Sequence, residues 1–325
     1  MNAVFKVLLL TWLAAGIACA GTLQVAHDAE AAYQSIGSAI DALPEEGGEI
    51  AIAPGIYREK ISITKRGVHL RGSGKTAQDT VIVFGDSAIT AGGTSKSYTV
   101  SVSGDDFLAS NPTIQNNYWL NSANPPSQAV ALMLTGDRAV LSHVRLLGHQ
   151  DTLYANKGAN GRMARQYFSD CYIEGHVDLI FGNAKAFFER CQVHGLAHSE
   201  VMYTAQSHNA ANEDSGYVFD HCLFTAEAGA GEITLGRPWR AYATVVLLHA
   251  DIRAPVMATG WREWHPGKTS SLPTTFYAEH RSVGPGANPA ARTPYSHQLT
   301  DSEVARWTLA EFFNHDIDWI GSVVR

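Results

Sequence analysis

Two aspartates occupy the same place in two similar segments, Gly148-His149-Gln150-Asp151 and Gly175-His176-Val177-Asp178. Carboxylates held about 5 Å apart repel, so one tends to keep a proton while the other stays ionised. That division suits a general acid working beside a nucleophile. Spacing alone equally suits two solvated aspartates at strand ends. The neighbours tip the balance. Gln150 adjoins one aspartate, and Gln128 stands about one repeat earlier, at the head of the Ala-rich segment Gln128-Ala129-Val130-Ala131-Leu132. A glutamine beside such a strand is costly unless its amide finds a partner. Two amide donors near a nucleophile can hold the oxygen of a tetrahedral intermediate. Tyr154, Phe181 and Trp239 add aromatic faces on which sugar rings stack, although each taken alone also fits ordinary packing.

These residues must be positioned by a repeating scaffold. Val144-x-Leu146-x-Gly148, Cys171-x-Ile173-x-Gly175 and Cys191-x-Val193-x-Gly195 share one pattern, continued more loosely by Cys222-x-Phe224-x-Ala226. Repeats of 20 to 50 residues imply stacked units that bury their apolar faces against one another. Units this short, built from small strands, fit a parallel β-helix. Strand-like, β-branched segments are expected at 49–53, 68–70, 81–84, 130–134 and 140–147. The fold class is therefore all-β, with short helices near the termini. Helical spacing of apolar residues predicts a helix within Asp28–Leu43. Near the C-terminus, Thr300 and Glu303 form a capping box that opens the segment Val304–Phe313. In a β-helix, equivalent positions stack about 4.8 Å apart. Cys171 and Cys191 then become neighbours, either as a disulfide or as two packed thiols.

Composition narrows the classes of function. The 325 residues are 45% hydrophobic and 17% charged, which excludes a disordered chain. Net charge is −7, and the basic residues are scattered, so no nucleic-acid-binding stripe is present. Beyond the N-terminus no apolar run approaches the roughly 20 residues of a membrane helix. Residues 1–20 carry Lys6, an apolar run from Val7 to Ile17, and an Ala18-Cys19-Ala20 cleavage signature, the pattern of a signal peptide. The expected organisation is a cleaved leader over 1–20, ending near Ala20, and a single catalytic domain over 21–325 that works outside the cytoplasm. Three cysteines survive such cleavage, and their spacing is not that of a metal site. Cys191, His194 and His198 imitate half a zinc finger without the second cysteine pair. Gly72-Ser73-Gly74-Lys75-Thr76 lacks the first glycine of a phosphate-binding loop and reads as a turn. The Gly-x-Ser-x-Gly elbow of serine esterases does not occur.

The whole set of motifs resembles the pectin methylesterases, the pectinesterases of carbohydrate esterase family eight. Gly55-Ile56-Tyr57-Arg58-Glu59 and Gln128-Ala129-Val130-Ala131-Leu132 come first. Gly148-His149-Gln150-Asp151-Thr152-Leu153-Tyr154 and Asp178-Leu179-Ile180-Phe181-Gly182-Asn183-Ala184 follow in order, then Leu235-Gly236-Arg237-Pro238-Trp239. The resemblance spans most of the chain after residue 20. It implies a right-handed parallel β-helix that removes methyl esters from galacturonate in pectin. By position, Asp178 resembles the nucleophile, Asp151 the general acid and later base, and Gln128 and Gln150 the oxyanion-stabilising amides. Arg237 corresponds to the residue that keeps Asp178 ionised. Trp239, Tyr154 and Phe181 would line the sugar-binding cleft, with Thr94 as a further substrate contact. The partner implied is methyl-esterified homogalacturonan, met by a monomer, with no metal or other cofactor and no nucleic-acid or membrane partner.

The chain departs from the family pattern at a few positions. Leu179 replaces an aromatic residue, His149 replaces a frequent tyrosine, and Pro112 falls where a strand residue is usual, suggesting a local break. Two other readings use the same scaffold. A β-helical glycoside hydrolase also places two carboxylates about 5 to 5.5 Å apart, but acetal cleavage creates no oxyanion for paired glutamines to hold. A non-catalytic carbohydrate-binding β-helix would have no need of the full set of catalytic residues.

Overall fold

The computed structural model describes residues 21–321 except 266 and 269. The leader expected over 1–20 lies outside the described residues. Three parallel sheets of eleven, seven and eight strands run the length of the molecule. The chain visits them in turn, completing one coil of a parallel β-helix each time. A representative coil runs through Ala139–Ser142 in the eleven-stranded sheet, Arg145–Leu147 in the eight-stranded sheet and Leu153–Ala155 in the seven-stranded sheet. It then returns to the eleven-stranded sheet at Arg165–Ser169.

The sequence repeat is the ladder of the eight-stranded sheet. Leu146 pairs with Ile173, Ile173 with Val193, and Val193 with Phe224, in the register that the repeated triplets predict. Each strand points alternate residues inward, so these side chains stack into a continuous apolar column. Phe168, Phe188 and Phe219 form a second column, with centroids 4.5 Å apart at each step. Burying a ring of this size contributes about 1.5 to 3 kcal/mol.

A sharp corner joins the eleven- and eight-stranded sheets. The expected single strand over 140–147 is in fact two strands, broken at His143, whose φ is 55°. Asn111, Asp170, Arg190, His221, His249 and Arg281 repeat this left-handed corner along the molecule. Asn111 and Pro112 sit between Leu108–Ser110 and Thr113–Asn116, so the proline occupies a corner where no ladder donor is needed. Inside these corners Cys171, Cys191 and Cys222 are buried as free thiols. The Cys171 and Cys191 thiols face carbonyls, including Ser169 O at 3.3 Å and Glu189 O at 3.5 Å, which is the packed-thiol arrangement.

Short helices from both chain termini pack on the coil, one closing its bottom and the others covering a side. The first helix is shorter than its apolar spacing suggests, spanning Ile36–Ala42 rather than starting near Asp28. Ser35 is extended (φ −130°) and caps the helix, while Tyr33 is held in a bridge to Val25, so the preceding residues cannot wind. Ile36, Ala39 and Ile40 close the bottom of the core. At the other end, Thr300 and Glu303 form the expected capping box, but the helix stops at Val304. A second short helix, Leu309–Phe312, starts afresh at the Thr308 cap. Phe312, Phe313 and Ile320 cover the outward apolar face of the eleven-stranded sheet at Val140, Tyr167, Phe187 and Val218.

Candidate active site

The turns from the eight-stranded to the seven-stranded sheet carry the two aspartates. Leu153 pairs with Ile180, so Asp151 and Asp178 stand at matching positions on adjacent coils. Both have left-handed backbone, with φ of 65° and 52°. Asparagine and aspartate tolerate that conformation better than most residues. The turn is tied to the next coil, since the Asp151 N–H donates to Val177 O at 3.0 Å and the His176 N–H to His149 O at 2.8 Å.

Gln128 is brought alongside by the preceding coil, where the Ala129 N–H donates to Gln150 O at 3.0 Å. The Ala131 and Leu132 N–H groups both reach Thr152 O, a small bulge that starts the strand at Leu132 instead of Val130. Thr94 lies on a single helical turn, Thr94–Lys96, fixed because the Ser97 hydroxyl accepts the Val130 N–H at 3.1 Å. Arg237 follows strand Glu232–Gly236, and its N–H donates to Thr204 O at 3.0 Å. Gly236 permits this approach, because a Cβ there would lie 2.0 Å from the Thr204 hydroxyl.

The Arg237 guanidinium forms a bidentate pair with Asp178, Nε to Oδ1 at 2.9 Å and Nη2 to Oδ2 at 2.8 Å. Its other face lies on Trp264, 4.2 Å from the ring centroid. Asp151 and Asp178 are both buried, 7% and 5% exposed. Burial pushes the Asp151 carboxyl well above the usual range, and the Asp178 charge pushes it further. Burial also raises Asp178, but the Arg237 hydrogen bonds and charge pull it back. Asp178 stays raised overall, but less than Asp151, so Asp151 is the favoured holder of a shared proton.

The resulting cleft encloses about 390 Å³. All nine residues singled out in the sequence line it: Thr94, Gln128, Gln150, Asp151, Tyr154, Asp178, Phe181, Arg237 and Trp239. Tyr154 and Phe181 pair across adjacent strands and stack at 4.3 Å, and Trp239 leans on Phe181 at 5.9 Å. Three lining residues escaped the sequence reading: Ser95, Ala205 and Trp264. Trp264 lies beyond the repeated segments, and no periodicity marks it. Glu59 of the early motif is not in the cleft. Its carboxylate caps the first helix, accepting from the Ile36 and Gly37 N–H groups at 2.8 and 2.9 Å. Cys191, His194 and His198 do not converge. His194 faces the Thr225 hydroxyl at 2.7 Å and His198 stacks on His176.

A parallel β-helix with a buried, charge-separated carboxylate pair and an aromatic cleft is the architecture of a carbohydrate-acting hydrolase. The sequence profile of the pectinesterase family matches residues 22–316. Pectinesterase 31 of Arabidopsis thaliana is 34% identical over 91% of this chain and 93% of its own length. The pectin methylesterase from carrot superposes with a TM-score of 0.82 at 29% identity, covering 91% of this chain and 94% of the other. A pectin methylesterase solved in complex with a hexasaccharide gives a TM-score of 0.73 at 28% identity, covering 92% and 96%. The chain belongs to the pectinesterase family, and is a carboxylic ester hydrolase of the pectin methylesterase type.

Proposed function

We propose that this enzyme hydrolyses the methyl esters of galacturonate residues in pectin through an acyl-enzyme on Asp178. The observation that carries the reading is the bidentate Arg237 pair, which favours the ionised form of Asp178 beside an Asp151 whose carboxyl is raised further by burial. The Asp178 carboxylate attacks the ester carbonyl carbon, and the carbonyl electrons move onto oxygen. The Gln128 and Gln150 amides donate hydrogen bonds to that oxyanion. As the intermediate collapses, the bond to methoxide breaks and Asp151 supplies the proton that makes methanol. Asp151, now a carboxylate, takes a proton from water, and the hydroxide attacks the mixed anhydride. Asp178 leaves as a carboxylate, and the galacturonate carries a free acid. Thr94, Tyr154, Phe181 and Trp239 hold the sugar in the cleft. No step calls for a metal or an organic cofactor.

A polymeric pectin substrate agrees with the open aromatic cleft and with the oligosaccharide complex of the related esterase. We further read residues 1–20 as an export signal and 21–325 as one catalytic domain acting outside the cell as a monomer, on the leader-like pattern of Lys6, the apolar run Val7 to Ile17 and Ala18-Cys19-Ala20. The test is to incubate highly methylated pectin with the wild type and with Asp178→Ala. Methanol release without new reducing ends, abolished by the substitution, supports the esterase. New reducing ends would instead indicate a glycoside hydrolase.

A further inference from the structure

The corner ladder between the eleven- and eight-stranded sheets carries chemistry that ester hydrolysis does not use. His221 and His249 occupy equivalent left-handed corners of successive coils, with φ of 52° and 50°. The register Asp220 to Leu248 fixes this alignment, and each histidine follows its strand directly. The two rings stack at 4.6 Å with 23° between their planes. Both turn Nδ1 towards the same oxygen, Asp220 Oδ1, at 2.8 Å from His221 and 3.1 Å from His249.

We propose that Asp220, His221 and His249 form a binding site for a divalent transition-metal ion, Zn²⁺ or Cu²⁺. Zinc binds imidazole nitrogen and carboxylate oxygen at about 2.0 to 2.2 Å, which puts tetrahedral ligands about 3.3 Å apart. The three donor atoms already lie within 4.8 Å of one another, with both nitrogen–oxygen separations close to that spacing. The left-handed corners supply this geometry from the backbone, so only small side-chain rotations are needed. His221 is more than half exposed and His249 about a third, leaving the remaining coordination positions to water. Imidazole with carboxylate suits Cu²⁺ and Zn²⁺, with Cu²⁺ the tighter by the general order of affinities.

Neighbouring charges leave Asp220 to the histidines. Arg190, one coil earlier, is held by Asp170 and Glu189 at 3.0 and 2.9 Å. Arg281, one coil later, is held by Asp301 at 2.9 Å, and His280 Nε2 also faces Asp301, at 3.4 Å. The active-site aspartates stand at a different corner, between the eight- and seven-stranded sheets, so the ion is a peripheral ligand of the scaffold. Ion binding would tie two coils together across a chain separation that includes strand Thr244–Leu248.

The test uses the full chain, with Zn²⁺ followed by calorimetry and Cu²⁺ by electron paramagnetic resonance. The expected result is one site filled at micromolar metal, whose Cu²⁺ spectrum carries coupling to two imidazole nitrogens. His221→Ala and His249→Ala should each weaken binding by on the order of ten-fold or more, since loss of a group that merely supports a ligand already costs about that much. Pectin de-esterification should be unchanged in both. Absence of binding below millimolar metal would overturn the site. So would an undiminished affinity in the double variant, or a wild-type Cu²⁺ spectrum without imidazole coupling. The spectrum of the wild type decides the matter even where a variant folds poorly. The outcome is independent of the catalytic reading, which rests on methanol release.

Discussion

Arg237 holds both carboxylate oxygens of Asp178, at 2.9 and 2.8 Å, while Asp151 on the adjacent coil is buried without an ion pair of that kind. Burial raises both carboxyls, and the guanidinium paired with Asp178 offsets part of that rise there, so Asp151 is the more readily protonated of the two. Arg237 lies 59 residues beyond Asp178, and only the coiling of the chain brings them together.

Arg237→Ala should therefore move the acid limb of activity. Asp178 must be ionised to attack, burial raises its affinity for the proton, and Arg237 opposes that rise. Without Arg237, protonation of Asp178 sets in at a higher pH, so the limb of kcat against pH shifts upward. Arg237→Lys keeps the charge but loses the planar fork and should retain part of the activity. An unmoved limb in Arg237→Ala would assign Arg237 to substrate binding alone.

Asp151→Asn should raise thermal stability while lowering activity. The folded protein binds the Asp151 proton more tightly than the unfolded chain, because burial and the Asp178 charge raise its pKa. Stability from this group is complete below the unfolded pKa of about 3.9 and is lost as pH rises towards the folded value. The isosteric amide carries no such titration. Melting curves should show Asp151→Asn gaining most at neutral pH, by on the order of a few degrees, and little near pH 4. An equal change at every pH would contradict the linkage.

Gln150→Ala should lower kcat by about 100- to 1,000-fold with a smaller change in KM, since an oxyanion donor acts mainly in the transition state. Steady-state methanol release measures both. A raised KM with kcat preserved would make Gln150 a positioning residue.

Trp239→Ala should act in the opposite sense, raising KM more than it lowers kcat. Trp239 lines the cleft against Phe181 but is not placed to exchange protons or electrons with the ester. A loss confined to kcat would mean that the indole helps hold the reacting geometry.

Much of this arrangement could be read from the chain. The triplets at 144, 171, 191 and 222 gave the register of the eight-stranded sheet, because a coil needs one inward apolar column. The paired aspartates and Gln150 share that period, so the repeat places them together. Trp264 has no period, and its contact with Arg237 depends on a loop that follows no repeating rule. The apolar run over 140–147 hides a break, because His143 gives no sign of its left-handed corner, which a glycine would mark. The first helix is shorter than its apolar spacing because that spacing does not register the competing bridge between Val25 and Tyr33.

The central claim is that the Asp178 carboxylate is the nucleophile. Its most direct test is methanol release by Asp178→Asn, an isosteric change that removes the nucleophile and leaves the packing in place. Activity should fall by roughly 10⁴-fold or more, with an unchanged circular dichroism spectrum. Release above about 5% of the wild-type rate from a folded Asp178→Asn protein would contradict it, since loss of a nucleophile leaves far less.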